Sequence, residues 1–187
     1  MRVLGISGSL RRDSHNAKLL REAGRLLEEQ GLEFVVFDGL RDVPPYDEDE
    51  DVPEAHPAVQ RLRDEIAAAD ALVFSTPEYN HSIPGHLKNA VDWASRPLAT
   101  NPLRNKPVAV VGASTGMFGA VWAQAELRKV LGATGARVVE GELPLGHAHE
   151  RFGEDGRLAD PNLAEQLEEV VSALVAELAP AGVAQAA

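Results

Sequence analysis

RVLGISGSLRRDSHN, residues 2–16, passes from an apolar run into a loop of small and polar residues, and Leu19, Leu20, Ala23, Leu26 and Leu27 follow it at helical spacing. That order reads as a strand, a tight loop and an amphipathic helix. The same alternation continues down the chain. Further strands are predicted at Glu33 to Asp38, Ala71 to Ser75, Pro107 to Ala113 and Arg137 to Glu140. Helical faces are marked by Val59, Leu62 and Ile66, by Leu87, Ala90, Val91 and Ala94, by Trp122, Leu127, Val130 and Leu131, and by Leu163, Leu167, Val170, Val171, Leu174 and Leu178. Strands that are apolar throughout and separated by helices imply a parallel sheet covered on both faces. The predicted fold is α/β: a doubly wound, five-stranded parallel sheet with helices on both sides. Ligands on such sheets bind at the carboxyl ends of the strands, near the point where strand order reverses. Chemistry is therefore sought in the loops after Ile6, Ser75 and Ala113.

The 187 residues suit one domain, taken as residues 1–180, and the small aperiodic residues 181–187 read as a flexible tail. With no cysteine, disulfides, thiolate nucleophiles and thiolate metal sites are excluded. The net charge is −11, and residues 42–54 hold seven acids and no base, so that run is expected to be a solvated loop. This balance argues against nucleic acid or an anionic membrane as a partner. No apolar stretch approaches the ~20 residues of a membrane span, and a cytoplasmic location is expected.

The first loop has the makings of an anion cradle. Gly8 allows a tight turn, Ser9, Ser14 and Asn16 offer polar side chains, Arg11 offers a charge, and the helix start offers free N–H groups. The same residues also make an ordinary capped helix start, with Ser14 or Asp13 as N-cap. The spacing alone leaves both readings open. The sharper nucleotide motifs, G-x-x-x-x-G-K-[ST] and G-x-G-x-x-G, are missing here. In the second loop, Tyr79 lies between Pro77 and Pro84, a stiff setting beside which successive backbone amides can meet the polar edge of a flat ring. His81 is expected on the surface.

GSLRRDSHN (8–16) and PEYNHSIPGHLKNAVDW (77–93) together resemble the NADPH-dependent FMN reductase family, which has a flavodoxin-like fold and includes flavin, quinone, azo-dye and chromate reductases. The resemblance runs from Val3 to about Val139. It implies that Ser9, Arg11, Ser14 and Asn16 hold the FMN phosphate, and that Pro77, Glu78, Tyr79 and Asn80 line the isoalloxazine with Ser82 beside them. Lys106-Pro107 and Ser114-Thr115-Gly116 match the family's third flavin loop. Ala120 departs from the pattern, since members often carry a second glycine after Gly119. NADPH or NADH is implied as donor, a small molecule as acceptor, and a homodimer or homotetramer as the assembly. The flavin carries the chemistry, so no catalytic side-chain acid or base is expected.

Two other activities compete. Gly112-Ala113-Ser114-Thr115-Gly116 matches the G-x-S-x-G of a hydrolase nucleophile elbow, with Glu140 and His147 available as partners for Ser114. A flavodoxin-type electron carrier would bind FMN without turning over a nicotinamide, but such carriers hold phosphate without arginine, and Arg11 favours the reductase. His147-Ala148-His149-Glu150 is expected to face solvent, and no metal is predicted. Trp93 and Trp122 fall on apolar helix faces and are assigned to the core or to a subunit contact.

Overall fold

The computed structural model describes residues 1–52 and 55–178, so the tail expected at 181–187 lies outside the described residues. Strands β1 (Arg2–Ser7), β2 (Glu33–Phe37), β3 (Ala71–Thr76), β4 (Pro107–Ala113), β5 (Arg137–Val138) and β6 (Pro144–Leu145) form one parallel sheet. Its order is β2-β1-β3-β4-β5, with β6 also pairing with β4. Helices α1 (His15–Glu29), α2 (Pro57–Ala68), α3 (Gly85–Ala94), α4 (Val121–Ala133) and α5 (Pro161–Ala176) cover it. The chain runs outward from β1 to β2, then crosses back to β3 and proceeds the other way, so strand order reverses between β1 and β3.

β3 and β4 are buried at every position, which is why their sequences show no alternation. One face packs Leu4, Ile6, Leu72 and Phe74 against residues of α2, α3 and α4, including Leu62, Leu87 and Leu127. The other packs Val3, Val73 and Val111 against Leu19, Leu27, Leu167 and Leu174 of α1 and α5.

The fifth strand is shorter than expected. Pairing stops at Val138 instead of Glu140, and the chain returns to the β4 edge only at Pro144. Gly141, at φ 123°, takes the backbone out of the extended region, and a Cβ there would stand 2.9 Å from Val170 Cγ2. Two short pieces thus fill the fifth position.

The acidic segment departs further from expectation. Asp51 turns inward and pairs with Arg63 at 2.9 Å, their side chains only 12% and 17% exposed. Arg63 also donates to the Trp93 carbonyl and lies 5.8 Å from the Trp93 ring centroid. The Trp93 Nε1–H donates to Pro44 O at 2.8 Å. This segment is therefore docked on α2 and α3 through Arg63 and Trp93, while Asp47 to Glu50 remain exposed. Trp93 is a core residue, 1% exposed. No helix of the described residues is long and apolar enough to cross a membrane.

Candidate active site

The loops after β1, β3 and β4 meet at the reversal point in a small cleft of about 110 Å³. Ser9, Arg11 and Asn16 form one side, Pro77, Glu78 and Tyr79 another, and Ser114 and Thr115 a third. His15 and Ala113 also line it, though neither was singled out from the sequence as a ligand. Ser14, Asn80, Ser82 and Gly116 lie nearby but outside the cleft wall.

The first loop is pinned from several sides. The Gly8 N–H donates to Ser75 O at 2.8 Å, His86 Nε2 lies 2.8 Å from Gly8 O, and Arg41 donates to Leu10 O. A Cβ on Gly8 would come within 2.7 Å of Leu87 Cδ2, so a larger residue there would push on the Leu87 side chain of α3. Ser14 is the N-cap of α1, its Oγ accepting from Ala17 N at 3.1 Å. The hydroxyl proton of Ser14 remains available, so the cap and the anion cradle are compatible. Arg11 is exposed, with no hydrogen bond or ion pair to any described residue.

Asn16 has work that its place in the sequence did not reveal. Its side chain is buried, donates to Ala113 O at 2.9 Å, and accepts from Ala113 N and Ser75 Oγ, each at 3.0 Å. The amide thus ties the first turn of α1 to the ends of β3 and β4. Its oxygen is fully engaged, and one N–H is left over.

The second loop makes a two-residue hairpin turn. Tyr79 and Ser82 exchange backbone hydrogen bonds at 3.0 and 3.1 Å, with Asn80 at φ 53° and His81 at φ 60°. Positive φ at both central positions is the type I′ geometry, which asparagine tolerates well. His81 is exposed, as expected, and its ring stands edge-on to Trp122 at 4.5 Å. Trp122 in turn meets Phe118 at 4.9 Å. Phe118, Trp122, Met117 and Tyr79 are all exposed large apolar side chains, and of these Tyr79 lines the cleft.

In the third loop, the Ser114 hydroxyl accepts from Gly116 N at 3.1 Å and has no hydrogen bond to a histidine among the described residues. Ser114 is also absent from the residues at positive φ, whereas a nucleophile elbow is sharply strained. The geometry gives the hydrolase reading no support. Gly119 and Ala120 are both left-handed at φ 60°, which accounts for the usual glycine at the second position. No group of three metal-ligating side chains assembles among the described residues.

The match to the NADPH-dependent FMN reductase model spans residues 1–150. The chain belongs to that family. It is 43% identical over 175 residues to an NAD(P)H-dependent FMN reductase of Pseudomonas aeruginosa, covering 93% of both proteins. It is 39% identical over 132 residues to a quinone reductase of Escherichia coli, 70% of this chain and 69% of that protein. Among solved structures, the flavoenzyme NAD(P)H:(acceptor) oxidoreductase from Paracoccus denitrificans superposes with a TM-score of 0.81 at 39% identity, covering 95% of this chain and 96% of that one. An archaeal flavodoxin, at 14% identity and a TM-score of 0.61, shares the fold. The protein is thus a flavodoxin-like, NAD(P)H-dependent FMN oxidoreductase.

The residues present suit FMN. An unpaired guanidinium and hydroxyl groups beside a helix N-terminus are what a phosphate monoester requires. The enclosed volume is small beside the ~300 Å³ or more of a typical cofactor pocket.

Proposed function

We propose that this FMN oxidoreductase takes electrons from NADPH or NADH and gives them to a small acceptor in two half-reactions that share one pocket. The acceptor is a flavin, a quinone, an azo dye or a chromate-like oxidant. The observation that carries the reading is the convergence of three strand-end loops on one cleft. In this reading Ser9, Arg11 and Ser14 hold the phosphate, and Asn16 buttresses them with its one spare N–H. Pro77, Glu78, Tyr79 and Asn80, with Ser82 beside them, flank the isoalloxazine on one side, and Ser114, Thr115 and Gly116 on the other. Bound FMN would supply the hydride and electron transfer, and the side chains supply binding, orientation and exclusion of water. With two loops flanking the ring, donor and acceptor compete for the remaining face, and turnover is ping-pong.

The apolar surface that includes Tyr79, Met117, Phe118 and Trp122 is 40–67% exposed at these residues. Its aromatic character supports a homodimer, or a tetramer of dimers, with this face at the interface. Trp93, being buried, takes no part. The reading also places the enzyme in the cytoplasm, where nicotinamide donors are regenerated.

Initial rates at varied NADPH and quinone test the proposal. Parallel double-reciprocal plots are expected, and intersecting lines with FMN retained would replace it with a ternary complex. NADPH oxidation without any partner protein excludes a simple flavodoxin-type carrier. Light scattering should return a multiple of 20.0 kDa, and a monomer at micromolar concentration would remove the interface.

A further inference from the structure

We propose that His15 is a further ligand of the flavin phosphate, donating a hydrogen bond from Nε2. The assignment rests on the reading of the first loop as a phosphate cradle. His15 opens α1 and lines the cleft beside Ser9, Arg11 and Asn16. Its ring stacks on Phe152, with centroids 6.3 Å apart and planes 14° from parallel. Phe152 is itself held by a small hairpin. It bridges to Leu158, Gly153 N donates to Arg157 O, and Ala159 N donates to Arg151 O, both at 2.9 Å. The imidazole therefore has a ring held in place beside one of its faces.

The two ring nitrogens differ. Nδ1 is buried with no hydrogen-bond partner among the described residues, whereas Nε2 is not among the buried unpartnered atoms and also bonds to none of those residues. Buried N–H groups without an acceptor are rarer than under-used acceptors, so the lone pair belongs on Nδ1 and the proton on Nε2. The charged groups around the ring are Lys18 and Arg11, which oppose its protonation, and Asp13, which favours it. His149, from the segment after β6, also opposes protonation. Burial acts first and most strongly, and the balance keeps the ring below its ordinary pKa and neutral at neutral pH. A neutral imidazole with this tautomer is a fixed single donor pointing away from its buried edge. The cradle has use for one, because the Asn16 amide is largely committed to Ala113 and Ser75.

Apo-protein titrated with FMN and with riboflavin, followed by flavin fluorescence, tests the assignment. His15→Phe keeps an aromatic ring against Phe152 and removes the donor. It should weaken FMN binding roughly tenfold and leave riboflavin binding unchanged. In the wild-type protein, the Nε2–H resonance of His15 should shift with FMN or inorganic phosphate and not with riboflavin. Equal losses for the two flavins, no loss for either, or a resonance indifferent to phosphate would overturn the role. Arg11→Ala serves as the control for the cradle itself. If it discriminates FMN from riboflavin and His15→Phe does not, only the His15 assignment falls. If neither discriminates, the phosphate lies elsewhere. Should His15→Phe fail to fold, the wild-type resonance decides alone.

Discussion

The carboxylate of Glu78 sits over the first turn of α4, its Oε2 accepting from the backbone N–H of Trp122 at 3.0 Å. The same oxygen accepts from Ala123 N at 3.1 Å, so a side chain 44 residues upstream satisfies two orphan donors of the helix. The residue at the cap position, Ala120, has no side-chain acceptor to offer. Glu78 therefore joins the loop after β3 to the helix that carries Trp122, and it places negative charge at the positive end of the helix dipole.

Removing that carboxylate should be felt in stability. Glu78→Ala is expected to cost about 1–2 kcal/mol, and Glu78→Gln less, since the amide oxygen can still accept. At roughly 2–4 °C per kcal/mol for a chain of this size, thermal unfolding should show the loss. An unchanged melting temperature in Glu78→Ala would mean the cap contributes nothing in solution.

Asn16→Ala should be more damaging than its place in a ligand loop suggests. It would leave the N–H and C=O of Ala113 without their partner in a buried setting, at about 2–4 kcal/mol. Denaturant unfolding measures this directly. Affinity for FMN and riboflavin should fall together, because the amide shapes the cleft for both. A loss confined to FMN, with stability intact, would make Asn16 a phosphate ligand first and a buttress second.

Gly119 and Ala120 share a left-handed backbone and should respond oppositely to substitution. A Cβ on Gly119 would land on the carbonyl group of Pro144, so Gly119→Ala is expected to cost more than about 3 kcal/mol. Ala120→Gly relieves left-handed strain of about 1 kcal/mol but removes a methyl group that is 1% exposed, worth a similar amount. It should be nearly neutral in calorimetry. A large effect of Ala120→Gly in either direction would contradict that balance.

The buried edge of His15 predicts a pH dependence of the apo-protein. Burial, then Lys18 and Arg11, hold the native pKa below the ordinary 6.5. As pH falls through 6.5, the unfolded chain takes up a proton that the native ring resists, so the contribution is fully present above that value and declines below it. Between about pH 7.5 and about pH 5.5 the wild type should lose more stability than His15→Phe. Parallel pH profiles of the two proteins would show that His15 titrates normally.

The pattern of apolar strands and helical faces is local in sequence, and it was sufficient for the layered sheet. β1 and β4 begin and end where their composition says, because burial on both faces leaves no room for a polar residue within them. The two loop motifs were legible as flavin loops only through their resemblance to the family, since Gly, Ser, Asn and Pro serve a capped helix start or a plain turn equally well. The end of β5 was not legible, since Gly141 reads as one more turn residue until Val170 is seen against it. Asp51 looked like one more solvated acid until the fold brought Arg63 to it. The duties of Asn16, Glu78 and His15 depend on partners 97, 44 and 137 residues away: Ala113, Trp122 and Phe152. A sequence motif states which groups a loop can offer. Which of them remain free for a ligand is decided by the buried backbone groups that tertiary packing brings within reach, because each of those must be satisfied first.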